Sequence, residues 1–124
     1  MGENILIVED HDFVRKSLSD WLCSTFPDYR IIDAKTGEEA VAIARDILPS
    51  VVIMDINLPG INGIEATRQI KRIDPHTQVA ILSIYEDDVY KKDAILAGAS
   101  AYISKRIMCS ELIKTIQMFL SEHS

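Results

Sequence analysis

A chain of 124 residues has the size of one domain and can bury one proper core. Its 48% hydrophobic and 26% charged residues are ordinary for a globular chain, and no apolar run is long enough to cross a membrane. The formal net charge of −6, from 13 Lys plus Arg against 19 Asp plus Glu, argues against direct nucleic-acid binding by this segment, because gripping phosphates needs a basic face. Met1-Gly2-Glu3-Asn4 shows no basic segment followed by an apolar stretch, so no export signal is read and a cytoplasmic location is expected. Cys23 and Cys109 lack metal-type spacing and are expected to be reduced packing residues.

In chain order, Ile5-Leu6-Ile7-Val8 reads as a first strand, almost continuously apolar as a strand covered on both faces should be. Phe13, Val14, Leu18, Trp21, Leu22 and Phe26 then recur at helical spacing. Tyr29-Arg30-Ile31-Ile32 is a shorter, more polar strand that suits a sheet edge. Thr36-Gly37-Glu38-Glu39 signals a second helix, carried by Ala40, Val41, Ala44, Ile47 and Leu48 and ended by Pro49. Val51-Val52-Ile53-Met54 is the third strand, and Ile64, Thr67, Ile70 and Ile73 mark a helix that stops before Pro75. Val79-Ala80-Ile81-Leu82 is the fourth strand. A fourth helix over Asp88 to Ala97 has only a thin stripe (Val89, Ala94, Ile95), with Gly98 as its stop. Ala101-Tyr102-Ile103-Ser104 completes the strands. Leu112, Ile113, Ile116, Phe119 and Leu120 mark the last helix, with Ser110 as its expected N-cap.

Strict alternation of strand and helix implies an α/β fold with a parallel sheet and right-handed crossovers. Five units of this length fit the flavodoxin-like order 2-1-3-4-5, helices on both faces, with a crevice at the switch point between strands 1 and 3. Ligands bind beyond the carboxyl ends of such strands. There the sequence supplies Glu9 and Asp10 after strand 1, Asp55 after strand 3, Ser83 after strand 4 and Lys105 after strand 5. Each has a plain structural explanation. Glu9 and Asp10 could cap a helix, Asp55 could brace a loop, Ser83 could end a strand and Lys105 could be a solvated lysine. Together they are chemically coherent. Three clustered carboxylates raise one another's pKa values unless a cation sits among them, and hard oxygens beside open water suit Mg²⁺. No Cys or His is placed for a zinc site; the nearest, His11, is expected at the exposed start of the first helix. An aspartate such as Asp55 can attack phosphorus to give an acyl phosphate, with Lys105 neutralising charge and Ser83 donating a hydrogen bond.

Glu9-Asp10, the run Met54-Asp55-Ile56-Asn57-Leu58-Pro59-Gly60-Ile61-Asn62-Gly63, Ser83, and Tyr102-Ile103-Ser104-Lys105 together resemble the receiver domain of two-component response regulators. The resemblance spans about Ile5 to Leu120 and implies a CheY-like fold. It places a receiver domain at 1–121, with 122–124 as a fraying end or the start of a linker. It implies that Asp55 is the phospho-acceptor, phosphorylated by a sensor histidine kinase, and that Ser83 and Lys105 contact the phosphoryl group. Asp10, Asp55 and the backbone carbonyl of Asn57 would ligate Mg²⁺, with Glu9 helping through a water. Ser83 and Tyr102 would form the switch pair. It further implies a phospho-acceptor switch rather than a turnover enzyme, with self-catalysed phosphoryl transfer, slow autodephosphorylation and a phosphorylation-dependent homodimer.

The stretches Glu9-Asp10-His11-Asp12-Phe13-Val14-Arg15 and Ala97-Gly98-Ala99-Ser100-Ala101-Tyr102 look most like LuxR/NarL-type receivers, usually followed by a helix-turn-helix domain. The segment is therefore expected to be excised from a transcription regulator rather than to stand alone. Two departures stand out: Glu9 replaces the commoner aspartate, and Arg106 follows Lys105 where many members carry proline, which leaves that peptide's isomer open. An aspartyl-phosphate hydrolase is disfavoured because Asn57 stands where such enzymes carry a second acid. No P-loop or Gly-x-Gly-x-x-Gly follows any strand. The remaining alternative is a phosphate-independent, receiver-like interaction module.

Overall fold

The computed structural model describes residues 4–122, Glu122 through its backbone alone, so most of the expected end segment 122–124 lies outside the described residues. Five strands alternate with five helices: β1 (Asn4–Val8), α1 (Asp12–Thr25), β2 (Arg30–Ala34), α2 (Gly37–Ile47), β3 (Val51–Asp55), α3 (Gly63–Ile73), β4 (Gln78–Ser83), α4 (Asp88–Ala97), β5 (Ala101–Ser104) and α5 (Met108–Glu122). All pairings are parallel and the order is β2-β1-β3-β4-β5, as the alternation of apolar runs predicts.

The two-residue period of the strands sorts their side chains into two cores. Leu6, Val8, Val52, Met54, Val79 and Ile81 face α2, α3 and α4. Ile5, Ile7, Val51, Ile53, Ala80, Leu82 and Ile103 face α1 and α5, meeting Leu18, Leu22, Leu112, Ile116 and Phe119. β2 is the half-exposed edge that its polar sequence suggests, beginning at Arg30 rather than Tyr29. Tyr29 instead sits edge-on to Phe26, ring centroids 6.3 Å apart.

Several local expectations are corrected. Phe13 is 83% exposed and Val14 is also exposed, because Arg15 takes the inward position of the first turn and donates to the Glu9 carbonyl at 3.1 Å. α2 ends at Ile47, before Pro49, with exposed Leu48 in a left-handed cap at φ 45°. At its start Thr36 Oγ1 accepts from the Glu39 N–H at 3.0 Å, a conventional N-cap. α4 buries only Ala94 and Ala97, whereas Val89 and Ile95 of the expected stripe face outward. Ser110 does not cap α5: a 3₁₀ turn over Lys105–Ile107 runs straight into that helix, and Ser110 Oγ donates to the Ile107 carbonyl at 3.0 Å. Ser104 is the cap instead, accepting from the Arg106 N–H at 3.2 Å. Both cysteines are free and exposed, not packing residues. Among the described residues no helix is long and apolar enough to cross a membrane.

Candidate functional site

Strand register builds the site. Val8 pairs with Met54, Asp55 with Leu82, and Ser83 with Ser104. The residues leaving these strands at their carboxyl ends, Glu9, Asp55, Ser83 and Lys105, therefore emerge side by side. α3 closes on the back of this edge at Gly63, where an added Cβ would lie 2.1 Å from the Asp55 carbonyl oxygen. Only a residue without a side chain permits that approach.

Lys105 Nζ lies 3.2 Å from Asp55 Oδ2 and 3.5 Å from Glu9 Oε1, so one ammonium bridges two buried carboxylates. Asp55 Oδ1 accepts from the Asn57 N–H at 3.3 Å. Buried Ser83 accepts through Oγ from the Tyr85 N–H at 2.9 Å. Asp55, Asn57, Ser83, Ile84, Tyr85, Lys105 and His11 line one open pocket of about 150 Å³. Burial pushes the Asp55 carboxyl up to about 6; Lys105 opposes the rise and the nearby Glu9 adds to it. Burial acts upward on Glu9 too, but hydrogen bonds from the backbone and ring of His11, with the charge of Lys105, leave it below the usual range.

Asp10 is a third exposed, while its Oδ1 is buried and makes no hydrogen bond among the described residues. His11 turns Nδ1 inward, 3.0 Å from Glu9 Oε2 and 3.3 Å from Asp10 Oδ1. The hydrogen bond to Glu9 raises its pKa, as do the charges of Asp10 and Glu9. Glu9, Asp10 and His11 are the one group among the described residues whose candidate ligand atoms all lie within 4.8 Å of one another.

Residues 5–117 match the family model described as the response regulator receiver domain. The chain belongs to that family. It is 34% identical over 114 residues to the response regulator GacA of Pseudomonas protegens, covering 92% of this chain and 54% of that protein. It is 34% identical over 115 residues to the transcriptional regulatory protein DegU of Brevibacillus brevis, covering 92% of this chain and 48% of that one. A solved LuxR-family two-component response regulator from Aurantimonas sp. SI85-9A1 superposes with a TM-score of 0.87 at 33% identity, covering 96% of this chain and 85% of that chain. This receiver domain is thus related to LuxR-type transcription regulators and spans about half the length of the two curated relatives named.

Receiver domains are phosphorylated by sensor histidine kinases and generally bind Mg²⁺ through acidic residues. The acidic residues here fit such an ion, because a buried carboxylate oxygen lacking a donor is stabilised by a hard cation.

The periphery of this receiver domain adds contacts that sequence reasoning missed. Tyr102 donates from its hydroxyl to the Tyr85 carbonyl at 2.6 Å, and burial raises its pKa. Tyr85 stacks on Tyr90, centroids 4.4 Å apart, and its hydroxyl donates to Asn57 Oδ1 at 3.3 Å, across the pocket mouth. Arg106, in the place where many members carry proline, grips Glu86 with Nε at 3.3 Å and Nη2 at 3.4 Å. No described peptide is cis, so the Lys105–Arg106 bond is trans. His11 is exposed at the helix start as expected, yet it also lines the site; its position directly after Glu9-Asp10 was the available signal.

Proposed function

We propose that this chain is a phosphorylation-controlled switch in which Asp55 accepts a phosphoryl group from a sensor histidine kinase. The observation that carries the reading is the Lys105–Asp55 contact of 3.2 Å inside a pocket that also holds Ser83. A carboxylate oxygen of Asp55 attacks phosphorus, the bond from phosphorus to the kinase imidazole nitrogen breaks, and the imidazole keeps that electron pair. Lys105 stands ready to balance charge on the transferring oxygens. Ser83, freed from the Tyr85 amide, donates its hydroxyl to one of them. Mg²⁺, held by Asp10, Asp55 and the carbonyl of Asn57 with Glu9 through a water, would supply electrostatic stabilisation of the phosphoryl oxygens. Charge on Asp55 and the movement of Ser83 would then bias Tyr102 and the lightly anchored α4 toward a second arrangement. The likeness to LuxR-type regulators supports an output in transcription, exerted through a separate domain and a phosphorylation-dependent dimer. It is a switch whose only chemistry is on itself, including slow loss of its own phosphoryl group.

The test is incubation with acetyl phosphate and Mg²⁺, read by intact mass. Wild type gains one acid- and base-labile phosphoryl group, and Asp55→Asn gains none. Uptake by the variant would move the acceptor away from Asp55, and refusal of both acetyl phosphate and beryllofluoride by the wild type leaves a phosphate-independent interaction module.

A further inference from the structure

We propose that His11 is a nitrogen ligand of the divalent-cation site and shifts its preference from Mg²⁺ toward borderline ions such as Mn²⁺ and Co²⁺. The inference rests on the reading that Asp10 and Asp55 hold a cation. Although the His11 ring is 72% exposed, the nitrogen that could ligate is the inward one. Nδ1 sits 3.3 Å from Asp10 Oδ1, a buried oxygen that makes no hydrogen bond among the described residues. The backbone N–H of His11 donates to Glu9 Oε2 at 3.0 Å, which anchors the imidazole at this edge. Glu9 divides its two oxygens: Oε1 reaches Lys105 and Oε2 meets His11. Before an ion binds, Glu9 therefore holds Nδ1 itself at this edge, so the glutamate is a competitor that the ion must displace.

The spacing suits one ion. Two ligands about 2.1 Å from a metal are at most about 4.2 Å apart, and the 4.8 Å spread of Glu9, Asp10 and His11 needs only small side-chain adjustments to meet that. On binding, the ion replaces the proton that Nδ1 shares with Glu9, and the proton passes to solvent. The consequence lies in selectivity. Mg²⁺ prefers oxygen in a strict octahedron, whereas imidazole strengthens binding along the series from Mn²⁺ to Co²⁺ and beyond. An all-oxygen site would lack that bias.

The experiment loads the full chain with Mn²⁺ on the alkaline side of neutrality. Pulsed electron paramagnetic resonance is recorded with natural-abundance and ¹⁵N-labelled histidine, and Mg²⁺ is titrated in as competitor. Labelling is expected to change the nitrogen modulation of bound Mn²⁺ in the wild type and to leave His11→Asn unchanged. Asparagine offers oxygen near the same place. The Mn²⁺ preference over Mg²⁺ should fall about tenfold in His11→Asn while Mg²⁺ affinity stays within about twofold. Mn²⁺ binding that ignores the label, with equal competition in both proteins, overturns the role of His11 and leaves the switch intact. Wild type that holds neither ion overturns the cation site itself, and acetyl-phosphate uptake then reports separately on Asp55. The labelling arm needs no variant, so misfolding of His11→Asn would not shelter the idea.

Discussion

Two neighbouring helices on the same face of the sheet, α3 and α4, are held in different ways. α3, 11 residues long, buries Gly63, Ile64, Ala66, Thr67 and Ile70, and starts from Asn62, whose side chain accepts from the Glu65 N–H at 3.0 Å. α4, 10 residues long, buries only Ala94 and Ala97, has no side-chain cap bond, and leaves Val89, Ile95 and Leu96 to solvent. α3 backs the strand that carries Asp55, while α4 follows the loop that leaves Ser83 at the end of β4 and carries Tyr85. Under the proposed function, the difference teaches that chemistry and response are separated: the groups proposed to meet a phosphoryl group are fixed by packing, and the element proposed to report on them has little to lose by moving.

The largest break in this contrast should come from Gly63→Val. Its first added carbon would sit 2.1 Å from the Asp55 carbonyl oxygen, so either α3 or the end of β3 must shift. A loss of more than about 3 kcal/mol is expected in urea unfolding; a loss near zero would mean that α3 is not seated as described. Next comes a matched pair of truncations. Ile70→Ala, at a position 1% exposed, should cost about 3 kcal/mol, whereas Ile95→Ala, at one 55% exposed, should stay within about 0.5 kcal/mol. Equal costs would abolish the distinction between the two helices.

A third test addresses the charge that α3 helps to bury. With divalent ions chelated, the Asp55 carboxyl moves from its ordinary 3.8 to about 6 on folding. Between those values the folded protein holds a proton that the unfolded chain has released. Stability from this group is therefore greatest below about pH 4 and declines as pH rises through 6, by about 3 kcal/mol. The difference in unfolding free energy between wild type and Asp55→Asn isolates that slope from the other carboxylates. A difference independent of pH would show that Lys105 fully offsets the burial.

How much of this could be read from the sequence depends on the range of the interaction. Continuous apolar runs marked the strands because burial on both faces leaves no room for polar alternation, and strand order followed from matching five units of this length to the flavodoxin-like arrangement. Glu9, Asp55, Ser83 and Lys105 were legible as neighbours because each directly follows an apolar run. Misreadings arose where a local pattern met a distant partner. Phe13 and Val14 fit a helical stripe, but the inward place belongs to Arg15, whose guanidinium finds the Glu9 carbonyl and, 3.4 Å from Nε, Asp33 on β2. Ser110 looked like a cap because a 3₁₀ turn that extends a helix backward carries no apolar signature. The Tyr85–Tyr90 stack and the Tyr102–Tyr85 hydrogen bond depend on rotamers that no spacing rule specifies.

The smallest expected effect sharpens the contrast at the loops. Arg106 and Glu86 join the segment after β5 to the loop between β4 and α4, with both side chains half or more exposed. Water competes for each group and salt screens the pair, so Arg106→Ala should leave the urea midpoint where it was. Glu86 also accepts from Ser104 Oγ at 3.1 Å, so the loop retains one tie when the arginine is removed. What should change is local. Amides from Ile84 to Asp87 should exchange faster with solvent, because opening this loop breaks few buried contacts and the guanidinium supplies two of its hydrogen bonds. A shifted midpoint with unchanged exchange would reverse the assignment, making the pair part of the global fold and leaving α4 tethered from both ends.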